Sequence, residues 1–391
     1  MGTELIAFTR AVVTPEAQAA AQRSLSSGWL TTGPECVAFE QEFAAWVGAR
    51  EAVAVSSCTA ALELSLRALN LPAGARVLVP TITFCGVASA VLHAGLVPVL
   101  ADVDPLTATV SPATATLAAR AAGGVQALVA LHYAGSPAPV PELAEAAGVP
   151  VSRVVEDAAH AVGTYDTDGR VGSRSRAACF SFYATKNLPI GEGGMITTDD
   201  EELAERLRGA RLHGMSRDAW RRYEPGASWR YDVVEAGLKA NLPDAAAAVG
   251  RAQLRHVDAW QEQRTAVARD YVEQLTDVAG LDLPEEPSTG RHAWHLFVVR
   301  VNARSLVGRD QLVERLAGEG VGTSVHFIPL HHMTYLRAAA ETPVALDGAD
   351  HVFPELLSLP MYPSLTHDEV DRVCTLVRQS VSSSARRKVI A

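Results

Sequence analysis

Two short stretches decide how the middle of this chain folds: Val154-Val-Glu-Asp-Ala-Ala-His160 and Cys179-Phe-Ser-Phe-Tyr-Ala-Thr-Lys-Asn187. Each begins with apolar residues that are typical of a strand buried on both faces of a sheet. Asp157 comes at the end of the first strand, and Lys186 lies just beyond the end of the second. Because open α/β sheets bind ligands beyond the carboxyl ends of their strands, we expect both side chains to face a ligand site.

A lysine and a carboxylate in these positions are the two protein groups that pyridoxal-phosphate chemistry needs most. The lysine holds the cofactor aldehyde as a Schiff base and moves protons, and the carboxylate keeps the pyridine nitrogen protonated so that the ring accepts electrons. Lys186 stands 29 positions after Asp157. The alternative is a buried ion pair together with a solvated lysine, since most lysines lie at the surface.

The composition of the chain excludes several classes of function. Its formal net charge of -10 argues against a nucleic-acid partner, which requires a basic surface. The five cysteines are odd in number and widely spaced, which indicates free thiols in a reducing compartment and no zinc site or other metal site. No signal peptide is visible, and no apolar run approaches the ~20 residues that span a bilayer. We therefore expect a cytoplasmic protein without a membrane partner.

Short apolar strands alternate with helical stretches between about residues 52 and 200. The predicted strands are Ala52–Val55, Arg76–Val79, Val97–Ala101, Ala127–Leu131, Val154–Val155, Cys179–Tyr183 and Gly194–Thr198, with helices from near Thr59, Gly86 and Pro141 and across 199–213. Crossover helices join parallel strands, so this order predicts an α/β fold with a mixed, mostly parallel sheet between helices. We assign residues 1–250 to this large domain, whose N-terminal segment is free to pack on the second unit.

The pattern changes in the last third of the chain, for which we predict a smaller α+β domain over residues 251–391. Pro243 is expected to open one long helix through about Leu275, because proline suits the first helical turn. Strands are predicted over Trp294–Val301 and Gly322–His326, and helices over Arg309–Leu316 and His367–Val377.

Hydroxyl groups near two strand ends are candidates for binding a phosphate. Ser56-Ser-Cys-Thr-Ala-Ala-Leu62 follows a predicted strand and opens a helix, where free N–H groups favour an anion. The same residues are also typical of an ordinary N-cap, and this alternative stays open. Ser181 offers a further hydroxyl from the neighbouring strand end.

Phe84 and His160 are the candidates for contacts with an aromatic ring. Phe84 follows the strand that ends near Pro80, so its face could stack on a pyridine ring, although a single Phe is more often part of a core. His160 lies three residues after Asp157 and could reach the ring or support the carboxylate. A structural histidine with satisfied hydrogen bonds is the alternative.

Ten segments in order resemble the aspartate aminotransferase superfamily of fold type I, and more closely the DegT/DnrJ/EryC1/StrS family of sugar aminotransferases. They are Ser27–Pro34, Ser57–Leu62, Val79–Phe84, Asp102–Asp104, His132–Gly135, Glu156–His160, Ser181–Asn187, Gly191–Met195, Gly237–Asn241 and Gly322–His326. The resemblance covers nearly the whole chain. It implies pyridoxal 5'-phosphate as the cofactor.

The resemblance also implies roles for individual residues around the cofactor. Lys186 would form the Schiff base, Asp157 would pair with the pyridine nitrogen, His160 would lie beside them, and Phe84 would stack on the ring. Thr59, the backbone of Ala60, and Ser181 would bind the phosphate. Cys58, Pro189, Leu238 and Ala240 depart from the usual family wording, which leaves the detailed phosphate geometry and pocket shape open.

The remaining implied residues concern the partner subunit and the substrate. Asn241 would reach the phosphate of the neighbouring subunit's cofactor, which makes a homodimer with shared active sites necessary. His326, His295 and Trp29 would line the sugar-nucleotide side.

The implied reaction is transamination of a nucleotide-linked keto-sugar, with dTDP or a similar nucleotide and glutamate or glutamine as amino donor. Ser27–Pro34 resembles members that act at C4, which favours a 4-keto-6-deoxy sugar, and the product would be an aminosugar for a glycoside, an antibiotic or a surface polysaccharide. A C3-ketosugar or cyclitol aminotransferase is the alternative. A regulatory protein with the same fold would be expected to lack Lys186 or Asp157, and both are present.

Overall fold

The computed structural model describes residues 5–172, 175–216, 231–287 and 289–382. Its strands are β1 (Glu51–Val55), β2 (Arg76–Pro80), β3 (Val97–Ala101), β4 (Ala127–Leu131), β5 (Val154–Asp157), β6 (Tyr165–Asp166), β7 (Gly169–Arg170), β8 (Ala177–Ser181), β9 (Gly194–Thr198), β10 (Leu281–Asp282), β11 (Phe297–Val301) and β12 (Leu356–Leu359). Its α-helices are α1 (Pro15–Ser26), α2 (Pro34–Val47), α3 (Cys58–Ala68), α4 (Gly86–His93), α5 (Pro112–Ala121), α6 (Val140–Ala147), α7 (Glu201–Ala210), α8 (Asp244–Leu254), α9 (Val257–Leu275), α10 (Arg309–Gly318), α11 (Thr334–Ala339), α12 (Asp347–Val352) and α13 (His367–Ser382).

The large sheet confirms the predicted α/β fold. Within the described residues its strand order is β1-β9-β8-β5-β4-β2-β3. The strands from β8 to β3 pair in parallel, and β9 pairs antiparallel with both β8 and β1. Every residue of β5, β8 and β9 is buried, because helices cover both faces of the sheet. The carboxyl ends of β5 and β8 therefore lie side by side, as the position of Asp157 and Lys186 requires.

A second, three-stranded antiparallel sheet of order β10-β11-β12 belongs to the C-terminal third. Its core includes Tyr271 from α9, Phe297 from β11 and Val373 from α13. Ile6, near the N-terminus, packs in the same core and donates its N–H to Gly320 O at 2.9 Å. The domain boundary at residue 250 stays a prediction, and the final residues assigned to that domain, 383–391, lie outside the described residues.

The single long helix predicted from Pro243 to Leu275 is wrong, because the structure has two helices, α8 and α9. His256, the N-cap of α9, has φ -103° and ψ -10° and donates its N–H to Gln253 O, three residues back, at 2.9 Å, in the turn between the two helices. The break lets α8 pack on α1 and α2, while α9 runs from the core around Trp260 to the C-terminal core. One straight helix would not follow both surfaces.

The two predicted strands of the C-terminal third also need correction. Gly322–His326 is not a strand: Ser324 forms only an isolated bridge with Ser358, and the carbonyl of His326 accepts a hydrogen bond from the Tyr133 hydroxyl. The segment predicted from Trp294 becomes a strand only at Phe297, because Trp294 has φ +45°, outside the β region. Both segments turn away from the sheet and toward the large domain.

No helix in the described ranges is long and apolar enough to cross a membrane.

Candidate active site

A cavity of about 410 Å³ opens beyond the carboxyl ends of the large sheet, within the size range of small-molecule sites (~300–1,000 Å³). It contains eight of the predicted site residues: Thr59, Phe84, Asp157, His160, Ser181, Lys186, His295 and His326. Strand ends supply one wall, and the irregular segments around His295 and His326 supply much of the other. The cavity thus lies between the large sheet and the segments that the C-terminal third contributes.

Asp157 forms the floor of the cavity at the end of β5, and only 4% of the residue is exposed. Its Oδ1 accepts a hydrogen bond from Ala159 N at 3.1 Å, and the thiol of Cys58 lies 3.9 Å from the same oxygen. Burial raises the pKa of Asp157 above its usual value, although the Ala159 hydrogen bond and the charge of Lys186 oppose that rise. A buried carboxylate of this kind is stabilised by a cationic N–H group in the cavity.

Lys186 follows β8 by five residues and is held in a turn by a hydrogen bond from its N–H to Tyr183 O at 2.9 Å. Burial lowers the pKa of its ammonium group to about 8, while Asp157 and Cys58 act in the opposite direction. At pH 7 about a tenth of such an amine is neutral, far more than for a solvated lysine. A neutral amine is the nucleophile that a carbonyl group requires.

His295 presents an unprotonated nitrogen to Lys186, and Asn187 determines this. The Asn187 Nδ2 group donates to Val162 O at 3.3 Å and to Ala293 O at 2.9 Å, so Oδ1 is the atom that faces His295 Nδ1 at 3.1 Å. Nδ1 must then carry the proton. The lone pair of His295 Nε2 points toward Lys186 Nζ, 3.5 Å away.

The charge state of His295 agrees with this hydrogen-bond pattern. Burial lowers its pKa well below the usual value, and the charges of Lys186 and His160 add to the effect. The imidazole is therefore neutral at physiological pH. Sequence reasoning placed His295 on the substrate side, and the structure places it against the amine of Lys186.

His160 is packed between two aromatic neighbours. Its ring centroid lies 4.4 Å from that of His295 and 5.8 Å from that of Phe327, with the latter pair stacked. Its Nδ1 accepts a hydrogen bond from Ala134 N at 3.2 Å, and burial, with the charge of Lys186, lowers its pKa well below the usual value. A neutral His160 gives the cavity a flat, uncharged wall.

The helix α3 begins at the cavity, and its first turn shows the N-cap that the sequence suggested, while phosphate binding there stays a prediction. Ser57 is an N-cap, since its Oγ accepts from Ala60 N at 3.1 Å. Thr59 nevertheless lines the cavity, and Gly86 makes room for it, because a Cβ at Gly86 would lie 2.7 Å from Thr59 Oγ1. The Ala60 N–H is thus already bonded, whereas the hydroxyl of Thr59 faces the cavity.

Thr83 is a cavity residue that the sequence reasoning missed. Its side chain is buried, and its Oγ1 has no hydrogen-bond partner among the described residues. The signal was present, because Thr83 lies in the quoted Val79–Phe84 segment just after β2. A buried hydroxyl without a partner costs about 1–3 kcal/mol, which makes Thr83 a candidate for contact with a polar ligand group.

Phe84 stands at the mouth of the cavity with 58% of the residue exposed, and its ring centroid lies 6.1 Å from that of Phe327. Tyr183 at the same mouth is also exposed, at 47%. Two aromatic faces therefore remain in contact with solvent in the single chain.

Asn241 and Trp29 lie outside the cavity of their own chain. Asn241 donates from Nδ2 to Thr32 Oγ1 at 2.8 Å, and its Oδ1 contacts Lys239 Nζ. Trp29 donates from Nε1 to Thr32 O at 3.1 Å. The structure thus brings both residues to Thr32, and a role for either of them in a subunit's active site stays a prediction.

The residues of the cavity fit pyridoxal phosphate. The buried carboxylate of Asp157 suits a protonated pyridine nitrogen, and Lys186 has the amine for the aldehyde. Thr59, Thr83 and Ser181 offer hydroxyls for the phosphate, and the Thr83 hydroxyl has no other partner in the described structure.

Comparisons with known proteins agree with this fit. Residues 12–378 match the DegT/DnrJ/EryC1/StrS aminotransferase family. The spore coat polysaccharide biosynthesis protein SpsC of Bacillus subtilis (strain 168) is 42% identical over 364 residues, which are 92% of this chain and 93% of SpsC.

Two solved structures extend the agreement to the fold. S. venezuelae DesV, in complex with a ketimine intermediate, superposes with a TM-score of 0.83 at 34% identity over 95% of both chains. The PLP-form of the sugar aminotransferase Spr1654 from Streptococcus pneumoniae, described as putative, gives 0.88 at 26% identity over 97% of this chain and 99% of its own. The chain therefore belongs to the DegT/DnrJ/EryC1/StrS aminotransferase family and is a pyridoxal-phosphate-dependent sugar aminotransferase.

Proposed function

We propose that the enzyme transfers the amino group of glutamate to a nucleotide-linked 4-keto-6-deoxy sugar, in the cytoplasm. The observation that carries transamination is the pairing, in one cavity, of the Lys186 amine with the buried carboxylate of Asp157 and the lone pair of His295. The C4 position rests on the resemblance of Ser27–Pro34 to C4-acting members. The polysaccharide role in the name of SpsC supports a surface polysaccharide as the destination of the aminosugar.

Pyridoxal phosphate supplies an electron-accepting ring and carries the amino group between the two substrates. Asp157 would hold a proton at the ring nitrogen, because its buried carboxylate is stabilised by that charge. Lys186 Nζ would take a proton from the amino donor on one side of the transferred nitrogen and return it on the other.

The other residues of the cavity would position these groups. The lone pair of His295 Nε2 would keep the Lys186 amine oriented between proton transfers. The hydroxyls of Thr59, Thr83 and Ser181 would hold the phosphate, while Phe84 and His160 would contact the ring and keep water from it. His326 would contact the sugar.

The active enzyme in this proposal is a homodimer with shared sites. Asn241 would cross to the phosphate of the partner's site, and Trp29 would approach the substrate there. The exposed faces of Phe84 and Tyr183 at the cavity mouth support a covering subunit.

Mixed dimers test the shared site. Lys186→Ala and Asn241→Asp are each expected to be inactive, the second because a carboxylate repels the phosphate. After subunit exchange, shown with two affinity tags, one site of each mixed dimer contains both native groups, so activity should return. If the mixed dimers are as inactive as their parents, Asn241 does not act in the partner's site.

The substrate is tested with a panel of keto-sugar nucleotides and either glutamate or glutamine, with the products identified by mass spectrometry and NMR. A 4-amino sugar from glutamate is the expected product. Amination only at C3, or only of a cyclitol, would favour the alternative substrate class. No product with any keto-sugar would contradict the proposal.

A further inference from the structure

The side chains of His331, His332 and Asp350 form a cluster outside the cavity, which we name the His-His-Asp cluster. Both histidines lie on the 3₁₀ turn Leu330–His332, and Asp350 lies on α12. The two Nε2 atoms approach the same oxygen, Asp350 Oδ1, at 2.9 and 2.7 Å. One ligand atom from each residue lies within 4.8 Å of the others. From this convergence we propose that the cluster binds a divalent transition-metal ion such as Zn²⁺ or Ni²⁺.

The two nitrogen–oxygen separations in the cluster are close to those in a metal site, and no ligand atom lies more than 4.8 Å from another. In a tetrahedral zinc site with bonds of about 2.0–2.1 Å, neighbouring ligand atoms lie about 3.3 Å apart. The two nitrogen–oxygen distances must therefore open by about 0.5 Å, and an ion replaces the protons that now bridge them. The side chains of His332 and Asp350 are 38% and 53% exposed, so small rotations meet little resistance.

Both elements that carry the ligands are fixed in place. Asp102 accepts hydrogen bonds from Gly348 N at 2.8 Å and from Ala349 N at 2.9 Å, which holds the first turn of α12 and with it Asp350. On the other side, Leu330 N donates to Thr81 O at 2.8 Å and holds the histidine turn. The ligands are thus brought together by contacts that do not depend on the metal.

Thr81 gives His331 the outer partner that a metal-binding histidine needs. The Thr81 hydroxyl lies 2.8 Å from His331 Nδ1, and Thr81 is fully buried. Without an ion, His331 donates from Nε2 to Asp350 and accepts from Thr81 at Nδ1. With an ion, Nε2 must be unprotonated, so Nδ1 donates to Thr81 instead. A hydroxyl serves in either direction, and such outer partners orient metal-binding imidazoles.

The ligand set also selects the kind of ion. Two imidazoles and one carboxylate favour Zn²⁺, Ni²⁺, Co²⁺ or Cu²⁺, whereas Mg²⁺ and Ca²⁺ prefer oxygen ligands. Three protein ligands leave a position for water on the exposed side of Asp350. Because Thr81 precedes the cavity residues Thr83 and Phe84, a bound ion would tie α12 to the segment that borders the cavity.

The proposal is tested by calorimetric titration of the holoenzyme after dialysis against a chelator. ZnCl₂ and NiCl₂ are the titrants, and MgCl₂ is the comparison. We expect one saturable Zn²⁺ or Ni²⁺ per chain and no comparable Mg²⁺ binding. Asp350→Asn and His332→Gln should weaken Zn²⁺ at least about tenfold, and Thr81→Val by about tenfold. His351→Gln is the matched control, because it removes an exposed neighbouring histidine and should leave the affinity unchanged. Equal affinity in the native enzyme and both ligand variants would overturn the proposal.

Two further measurements keep the test valid if a variant folds poorly. Zn²⁺ should shift the imidazole nitrogen signals of His331 and His332 in the NMR spectrum of ¹⁵N-histidine-labelled native enzyme, and should leave those of His351 in place. The melting temperature should rise with Zn²⁺ concentration in the native enzyme and not in Asp350→Asn, since ligand binding to the folded state is linked to stability. Unshifted signals of His331 and His332 at saturating Zn²⁺ would exclude the site.

Discussion

The two walls of the cavity are built by different means. On the sheet wall, Asp157 and Lys186 are placed by the ends of β5 and β8, whose ladder hydrogen bonds fix their register. On the C-terminal wall, His295 and His326 lie on irregular segments, and side-chain hydrogen bonds to Asn187 and Ser358, together with ring packing, hold the two imidazoles. The sheet thus places the groups that react, whereas side-chain contacts between distant segments place the groups that orient them. Substitutions on the first wall should therefore cost far more activity than those on the second.

The largest effect is expected from Lys186→Ala. The described cavity contains no second lysine, so Schiff-base formation and proton transfer are both lost, and kcat should fall at least about 10³-fold. Turnover by purified protein measures this, and borohydride reduction with peptide mapping shows which lysine holds the cofactor. Substantial remaining turnover, or cofactor trapped on another lysine, would contradict the assignment.

Asp157→Asn comes next on the same wall. An amide cannot stabilise the charge at the ring nitrogen, so we expect cofactor to bind while kcat drops at least ~10²-fold, the order found when a key electrostatic group is removed. Single-turnover kinetics with glutamate isolate the proton-transfer step. A rate near that of the native enzyme would mean that the carboxylate is structural.

The same division explains what the sequence could predict. Two apolar runs, one ending at Asp157 and one that contains Ser181 and is followed by Lys186, predict the residues of the sheet wall. A strand end in a parallel sheet fixes where the next side chain lies. On the C-terminal wall, the turn at Trp294 and the irregular course of Gly322–His326 depend on distant partners. Asn187 and His295 are 108 residues apart, and no local pattern connects them.

The contact between His295 and Lys186 links the two walls. We expect His295→Leu to lower kcat about tenfold. Removing the lone pair at Nε2 leaves the Lys186 ammonium without an acceptor, which destabilises its charged form. The native pKa of about 8 should then move lower. The pKa of Lys186 is measured by labelling its amine in the apoenzyme at a series of pH values. The labelling rate rises with pH as the amine deprotonates.

His295→Gln is the matched variant, because an amide oxygen can replace the Nε2 lone pair. It should return both the labelling midpoint and most of kcat toward native values. Identical behaviour of the Leu and Gln variants would show that His295 acts through packing alone.

The smallest effect is expected from Ser358→Ala, which removes the hydrogen-bond partner of His326 Nδ1 while the ring stays packed on Phe8. The Ser358 hydroxyl lies 2.8 Å from His326 Nδ1, and burial lowers the pKa of this histidine to about 4, so a neutral ring accepts or donates one bond there. A hydrogen bond of this kind contributes about 1 kcal/mol, which corresponds to roughly a fivefold change.

Because His326 contacts the sugar in our proposal, the change should appear in KM for the keto-sugar nucleotide and not in the half-reaction with glutamate. Ser324→Ala is the matched control, because Ser324 pairs with Ser358 through backbone atoms in the isolated bridge, and it should leave both values unchanged. Equal losses in both half-reactions would place His326 with the reacting groups and erase the difference between the two walls.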